Sequence, residues 1–257
     1  MKNAFIIISC LLLAVNNLFA QVKVITSGTI TFEKRLNLHA IAKNELGTKP
    51  DQYSIDAYEK YKRSTVQFGT LSSTLTFNTD KSLFTPVDKL LPSGMDFYNN
   101  PMNKQLNIVY TDFATNTNIS QKEMYGDLFL VTDSTRKITW RLTDQTQDIA
   151  GFKCRRANGL ILDSVYVVAF FTDEIGVSGG PESFWGLPGM ILQVALPHEN
   201  VIWTAKKVTT DPVALTAITP PKKGKKMSRK ELFKLVKENM HSGYPGVDVY
   251  ETRVFAL

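Results

Sequence analysis

The sequence predicts a mainly β domain with a few helices, an α+β chain built on a curved antiparallel sheet or incomplete barrel. Short segments in which apolar and polar residues alternate recur at near-regular spacing, and turns rich in Asn, Asp and Gly separate them. One segment, 164–172, is apolar at almost every position and is expected to be the most buried strand. Apolar residues make up 43% of the chain, which is ample for a core.

The alternation places the strands one after another along the chain. They are expected over 22–33, 71–77, 82–87, 106–113, 127–132, 138–142, 164–172, 201–208 and 250–256. The segments 78–81 and 133–136 are rich in turn-forming residues and are expected to connect the strands on either side. Many short strands joined in this way favour an antiparallel sheet that curls or closes.

Two helices are expected between and after these strands. The first covers 52–62, where aromatic and apolar residues recur every four positions and Asp51 is placed to cap the start. The second covers 228–240 and opens with a capping box, in which Ser228 accepts from an early backbone N–H and Glu231 reaches back.

Residues 1–20 have the pattern of a Sec signal peptide: Lys2, then an apolar stretch, then Ala20 at a cleavage position. This predicts a secreted protein of the periplasm or the outer-membrane periphery, with 21–257 as a single domain without a transmembrane segment. A lipoprotein anchored at Cys10 is the alternative, although this cysteine lies early in the apolar stretch.

The chain is basic, with a formal net charge of +6. The sequence contains no nucleic-acid recognition motif, so nucleic acid is not expected as a partner. Part of the charge lies in 220–226, where two prolines precede four lysines. A solvated linker is the expected role of this segment, and a patch that binds anionic headgroups is the alternative.

After signal-peptide removal, Cys154 is the only cysteine, so no intramolecular disulfide is expected. It alternates with Phe152 and is expected to lie buried on the same face.

Motifs for catalysis or metal binding are missing from the sequence. His39, His198 and His241 lie far apart and lack further ligands at metal-binding spacing. The chain has no nucleophile elbow and no phosphate-binding loop, and the adjacent pair Asp173 and Glu174 does not have the spacing of a carboxylate dyad in a strand. We therefore expect no cofactor and no enzymatic activity.

The most distinctive segment is 179–191, which packs four glycines and two prolines around the pair Phe184 and Trp185. Glycine permits positive φ angles and proline fixes its own φ, so this segment predicts a stiff, shaped loop. Two interpretations of the aromatic pair stay open. It either plugs the core or forms a lip over a ligand cleft or partner surface.

Four segments in order, 139–142, 149–157, 171–175 and 180–192, resemble the motifs of the GLPGLI (Porph_ging-type) family of Bacteroidota envelope proteins. Met190 stands where the family name has leucine. The order of the pieces also resembles, more distantly, the LolA-like lipoprotein carriers. That resemblance implies an incomplete barrel with an apolar ligand cavity.

These resemblances and the loop lead to three hypotheses for function. The first is a non-enzymatic module that binds or carries a lipid, another apolar ligand or a protein segment. The second is an accessory partner of an outer-membrane transporter that acts through a surface patch, and the third is a cysteine-dependent enzyme. The candidate ligand or partner residues are Pro181, Phe184, Trp185, Gly186, Leu187, Pro188, Gly189 and Met190.

Overall fold

The computed structural model describes residues 24–87, 91, 94–95, 97, 101–104, 106–124, 126–162 and 164–239. The predicted signal peptide and the predicted strand 250–256 lie outside the described residues.

The protein is built on one twelve-stranded sheet, in the order β12-β6-β5-β4-β3-β2-β1-β11-β10-β9-β8-β7. The strands are β1 Gly28–Asn37, β2 Phe68–Phe77, β3 Lys81–Pro86, β4 Ile108–Asp112, β5 Thr117–Met124, β6 Asp127–Ser134, β7 Thr139–Ile149, β8 Phe152–Ile161, β9 Val165–Thr172, β10 Met190–Leu196, β11 Val201–Thr209 and β12 Lys225–Met227. Neighbouring strands pair antiparallel except β12, which pairs parallel with β6.

Four α-helices accompany the sheet within the described residues. They are α1 Leu38–Glu45, α2 Gln52–Ser64, α3 Pro101–Lys104 and α4 Arg229–Asn239. The predicted caps are confirmed: Asp51 Oδ1 accepts from Ser54 N at 2.7 Å, and Ser228 and Glu231 form a reciprocal capping box. The short α1 was not predicted. It follows β1 without a break and starts at Asn37, whose side chain caps it. No helix in the described part of the chain is long and apolar enough to span a bilayer.

One face of the sheet, here called the inner face, carries the core. On β1, Ile30, Phe32, Lys34 and Leu36 are buried, while the residues that alternate with them are more exposed. The same alternation continues across β2, β9 and β11. This two-residue periodicity is the pattern from which the strands were predicted.

The sheet curls far enough to bring its two ends together without closing into a barrel. The strands β6 and β7 lie at opposite ends of the sheet order, yet only residues 135–138 connect them. Such a connection spans at most roughly 18 Å. In agreement, β7 also contacts β11, although three strands separate the two in the sheet.

The mainly β fold class is confirmed, and the differences from the predicted elements follow a physical pattern. Strand β5 was missed because its inward residues are polar and gave no apolar alternation. The prediction of a loop over 220–226 is wrong at its C-terminal end, because Lys225–Met227 forms β12. The segment 164–172 is buried mainly on one face, because its alternate residues are partly exposed.

Candidate functional site

The glycine- and proline-rich loop connects β9 to β10 and packs on the inner face. Phe184 is buried and its ring centroid lies 6.2 Å from that of Trp203 on β11. Leu187 and Met190 are buried as well, whereas Gly186 and Pro188 are exposed. Phe184 therefore plugs the core, as one of the two interpretations of the aromatic pair predicted.

Trp185 is only partly buried and bridges the two ends of the sheet. Its indole Nε1–H donates to Arg136 O at 2.6 Å, in the connection from β6 to β7. Its own carbonyl oxygen accepts from Trp140 Nε1 on β7 at 3.0 Å. Its ring stacks on Phe113, with the centroids 6.3 Å apart. The loop thus bridges the two ends of the curled sheet at the β6–β7 connection, here called the seam.

Two of the four loop glycines, Gly186 and Gly189, adopt the positive φ that the composition of the loop predicts. Gly186 has φ of 94° and Gly189 has φ of 143°. A Cβ on Gly189 would overlap the carbonyl oxygen of Thr172, whereas a Cβ on Gly186 would meet only the Trp140 ring at ordinary distance. Shape therefore requires glycine most strictly at position 189.

Glu182, in the same loop, carries its side chain into a buried polar cluster. It has a positive φ of 51°, uncommon for a residue other than glycine. Its Oε2 accepts from Asn107 Nδ2 at 3.1 Å. Loss of solvent raises the pKa of Glu182, while the positive charges of Lys34 and Lys122 lower it.

Lys34 faces this cluster from the middle of the apolar face of β1. It is 4% exposed, and its Nζ donates to Met102 O at 2.8 Å. The ammonium also lies 5.3 Å from the ring centroid of Trp203, its partner across the β1–β11 ladder. Burial lowers the pKa of Lys34 to about 8, and Glu182 partly opposes the shift.

Lys122 enters the cluster from β5. It is 5% exposed, and the antiparallel register of β4 and β5 places it opposite Asn107. Burial lowers its pKa to about 8, Glu182 raises it, and the positive charges of Arg136 and Arg229 lower it further. Arg136 is buried as well, and desolvation lowers its pKa to about 10.

Two polar atoms in this cluster have no hydrogen-bond partner in the described structure. They are the indole Nε1 of Trp203 and the amide Oδ1 of Asn107. Both residues are almost fully buried, and buried polar groups are normally paired. The cluster therefore offers a free donor beside Lys34 and a free acceptor beside Glu182 and opposite Lys122.

The sequence analysis found the loop but missed the charged residues that it packs against. Of the candidate loop residues, the structure brings Phe184 to the cluster and places Trp185 at the seam. Lys34 had a usable signal, since it occupies an inward position between Phe32 and Leu36. A lysine on an apolar strand face is almost never buried without a partner.

Cys154 is fully buried, as predicted, and lies outside this cluster. Its Sγ lies 3.5 Å from Phe152 O. Burial raises the pKa of the thiol to about 12, and the charges of Glu174 and Asp148 add to the effect. At neutral pH almost no thiolate is present, so the residue suits packing better than nucleophilic chemistry.

The other titratable candidates do not come together. His198 lies in the 3₁₀ turn Pro197–Glu199, and His39 hydrogen bonds to the carbonyl of Thr65 at 2.9 Å. His241 lies outside the described residues. Asp173 and Glu174 lie in a turn after β9. Among the residues that the structure describes, no group of three or more His, Cys, Asp or Glu is placed to hold a metal ion.

Solved structures that are similar to this chain include these three. Two are crystal forms of PNGF-II; each is 14% identical with a TM-score of 0.47, and 79% of this chain aligns to 32% and 31% of that one. The third is an uncharacterized conserved protein from Thermus thermophilus, 7% identical with a TM-score of 0.38, covering 84% of this chain and 99% of that one. The chain thus spans about a third of PNGF-II, and TM-scores of this size do not establish a shared fold.

No curated protein matches the chain. A family model does match residues 159–193, which run from β8 through β9 and the loop into β10. This stretch contains two of the four segments on which the sequence-based resemblance rested, 171–175 and 180–192, whereas 139–142 and 149–157 lie outside it. The assignment is therefore confirmed over residues 159–193: the chain carries the signature of Porph_ging, a protein family of unknown function.

Proposed function

We propose that this protein is a non-enzymatic binding or carrier module of the cell envelope, and that its ligand is an apolar molecule carrying an anionic group. The buried cluster at Lys34, Lys122 and Glu182 is the observation that carries this proposal. The apolar part of the ligand would lie in a cavity on the inner face, with the loop 179–190 as its lid. Secretion to the periplasm or outer-membrane periphery, and the distant LolA-like resemblance, fit the same role.

The two buried lysines of the cluster support an anionic ligand. Lys34 and Lys122 are both buried, and the charge of Glu182 raises the pKa of each against the effect of burial. Burying a charge is costly unless it is paired and hydrogen-bonded. A carboxylate or phosphate placed between the two lysines would interact favourably with both ammonium groups.

The surroundings of the cluster define the rest of the ligand. The unpartnered indole N–H of Trp203 points to an acceptor on the ligand, and an anionic oxygen is the strongest acceptor available. Phe184 lies against Trp203, and the inner face beyond it is lined by aromatic and aliphatic side chains such as Phe32 and Phe84. A fatty acid or similar amphiphile has a charged head, which matches the cluster, and an apolar chain, which matches the apolar surface next to it.

A matched pair of ligands tests this function. Dodecanoic acid and dodecanol share the same chain and differ in the charge of the head. We expect dodecanoate to bind with a Kd on the order of micromolar in calorimetry at pH 7, and dodecanol to bind at least about tenfold more weakly.

Variants assign the effect to the cluster. Lys34→Met keeps an unbranched side chain of nearly the same length without the charge, and it should remove the preference for the acid over the alcohol. Lys207→Met, at an exposed position on β11, should leave both affinities unchanged. Equal affinity for acid and alcohol, or no binding of either, would contradict the proposal.

One observation favours the second hypothesis, a partner of an outer-membrane transporter. The edge strand β7 is exposed along most of its length, and Leu142 on this strand is an exposed apolar residue. An exposed strand edge is a common docking place for a partner chain. Photo-crosslinking from position 142 in the native envelope would identify such a partner, and its absence would favour the binding module.

A further inference from the structure

A second charged region lies on the outside of the molecule, at the end of the sheet formed by β12. The segment 222–239 contains eight basic and two acidic residues, a net charge of +6. The net charge of the whole chain is also +6, so the remaining residues sum to zero. The basic character of the protein is thus concentrated in eighteen consecutive residues.

The structure keeps most of this charge on the surface. The lysines of β12 and of the turn before it are exposed, at positions 222, 223, 225 and 226. On α4, Leu232 and Val236 pack against Phe129 and Val131 of β6. The opposite side of the helix, here called the outer stripe, consists of Lys230, Phe233, Lys234 and Lys237.

Few acidic groups neutralise these lysines. Lys225 pairs with Asp127 at 2.7 Å, and Lys234 lies 3.7 Å from Glu238. Both pairs are solvent-exposed, and exposed pairs hold their partners weakly. The surface therefore keeps a positive potential that favours an anionic partner.

Phe233 indicates which anionic partner fits. Its side chain is 43% exposed in the middle of the outer stripe, although its helix has a buried apolar face on the other side. An exposed aromatic residue ringed by lysines suits a bilayer surface, where the lysines contact headgroups and the ring enters the acyl boundary. We propose that the segment 222–239 docks this protein on an anionic lipid membrane, with Phe233 inserted.

Vesicle co-sedimentation of residues 21–257, without the predicted signal peptide, tests this docking surface. We expect binding to vesicles of phosphatidylglycerol and phosphatidylcholine at 0.1 M salt, no binding to pure phosphatidylcholine, and release at 0.5 M salt, where screening is stronger. Failure to bind the anionic vesicles at the lower salt would overturn the proposal.

Two variants of equal net charge locate the surface. The double variant Lys230→Glu and Lys237→Glu should weaken vesicle binding at least about tenfold, since each basic residue near an anionic bilayer contributes about 1 kcal/mol. Lys60→Glu with Lys207→Glu, at exposed positions on α2 and β11, should bind as the wild type does. All four positions are exposed, and thermal melts would confirm that both variants fold. If both double variants lost vesicle affinity equally, the loss would follow from net charge alone and would overturn the assignment of the membrane-binding surface to 222–239.

Phe233→Ser separates membrane insertion from simple charge attraction. This variant should lose vesicle affinity at least about threefold and bind heparin, a soluble polyanion, as tightly as the wild type. The membrane proposal would be overturned if Phe233→Ser bound vesicles as tightly as the wild-type protein does. It would also be overturned if the wild-type protein bound heparin but did not bind vesicles. The result is independent of the inner-face ligand, because none of these positions touches the cluster.

Discussion

The indole nitrogen of Trp185 lies 2.6 Å from the carbonyl oxygen of Arg136, and this hydrogen bond joins the loop 179–190 to the connection between the two ends of the sheet. The connection itself is four residues long, between β6 and β7. Trp140 completes the junction by donating to the carbonyl of Trp185. The loop therefore belongs to the seam of the fold as well as to the buried cluster.

Trp185→Phe should destabilise the protein by about 1–2 kcal/mol, because it removes the donor to Arg136 O and keeps an aromatic ring against Phe113. Urea unfolding would measure the change. Trp203→Phe is the matched control, since the indole N–H of Trp203 has no partner. It removes buried ring volume but no hydrogen bond, so any loss of stability would come from packing alone, and it should weaken dodecanoate binding. If the two substitutions lower stability equally, the hydrogen bond at the seam contributes nothing.

The two loop glycines should differ in their tolerance of a side chain. Gly186→Ala carries only the strain of a positive φ, on the order of 1 kcal/mol, because the space around it is open. Gly189→Ala adds a clash with the carbonyl of Thr172 and should cost about 3 kcal/mol or more, or prevent folding. Thermal melts of the two variants would show the order. The reverse order would contradict the geometry of the loop.

The sequence predicted the parts of the fold that depend on apolar periodicity and local turn chemistry. The hairpin from β2 to β3, the capping box at Ser228 and the buried Cys154 all follow from short-range patterns. The strand β5 did not, since its inward residues include Lys122 and gave no apolar alternation. One of the residues that hide β5 from a periodicity argument, Lys122, belongs to the buried cluster.

The cluster could not be assembled from the sequence, because its members come from distant parts of the chain. Lys34, Lys122 and Glu182 lie on β1, β5 and the β9–β10 loop, and they meet only because the sheet curls. Glu182 lies in the distinctive loop between a proline and a serine, where no local pattern predicts that its side chain is buried. Long-range geometry of this kind requires the strand order, which local patterns do not contain.

Cys154 should resist thiol reagents until the protein unfolds. Its side chain is buried, and the raised pKa of about 12 keeps the thiol protonated at neutral pH. A bulky maleimide should label the native protein at least about a hundredfold more slowly than the urea-unfolded protein, as mass spectrometry would show. Cys154→Ser should cost about 1–3 kcal/mol by burying a poorly paired hydroxyl, without changing ligand affinity. Rapid labelling of the native protein would contradict this prediction and favour the hypothesis of a cysteine-dependent enzyme.

The buried lysines should make the ligand-free protein more stable as the pH rises above 8. The folded-state pKa of Lys34 and of Lys122 is about 8, below the unfolded value of 10.5. Between these values the unfolded chain binds more protons than the native protein, so the free energy of unfolding rises with pH. Each lysine should add about 1.4 kcal/mol per pH unit across this window, and the contribution is lost as the pH falls through 8.

Lys34→Met isolates one of the two contributions. Its free energy of unfolding should climb about half as steeply as that of the wild type between pH 8 and pH 9 in urea titrations, because only Lys122 still loses a proton inside the fold. Above pH 9 the raised pKa of Cys154 opposes the rise in both proteins. At pH 7 the variant should be more stable than the wild type, because it no longer buries that ammonium group. Lys207→Met, which removes an exposed ammonium, should keep the full slope. An unchanged slope in Lys34→Met would mean that Lys34 titrates outside this window, and it would remove one of the buried cations on which the anionic ligand depends.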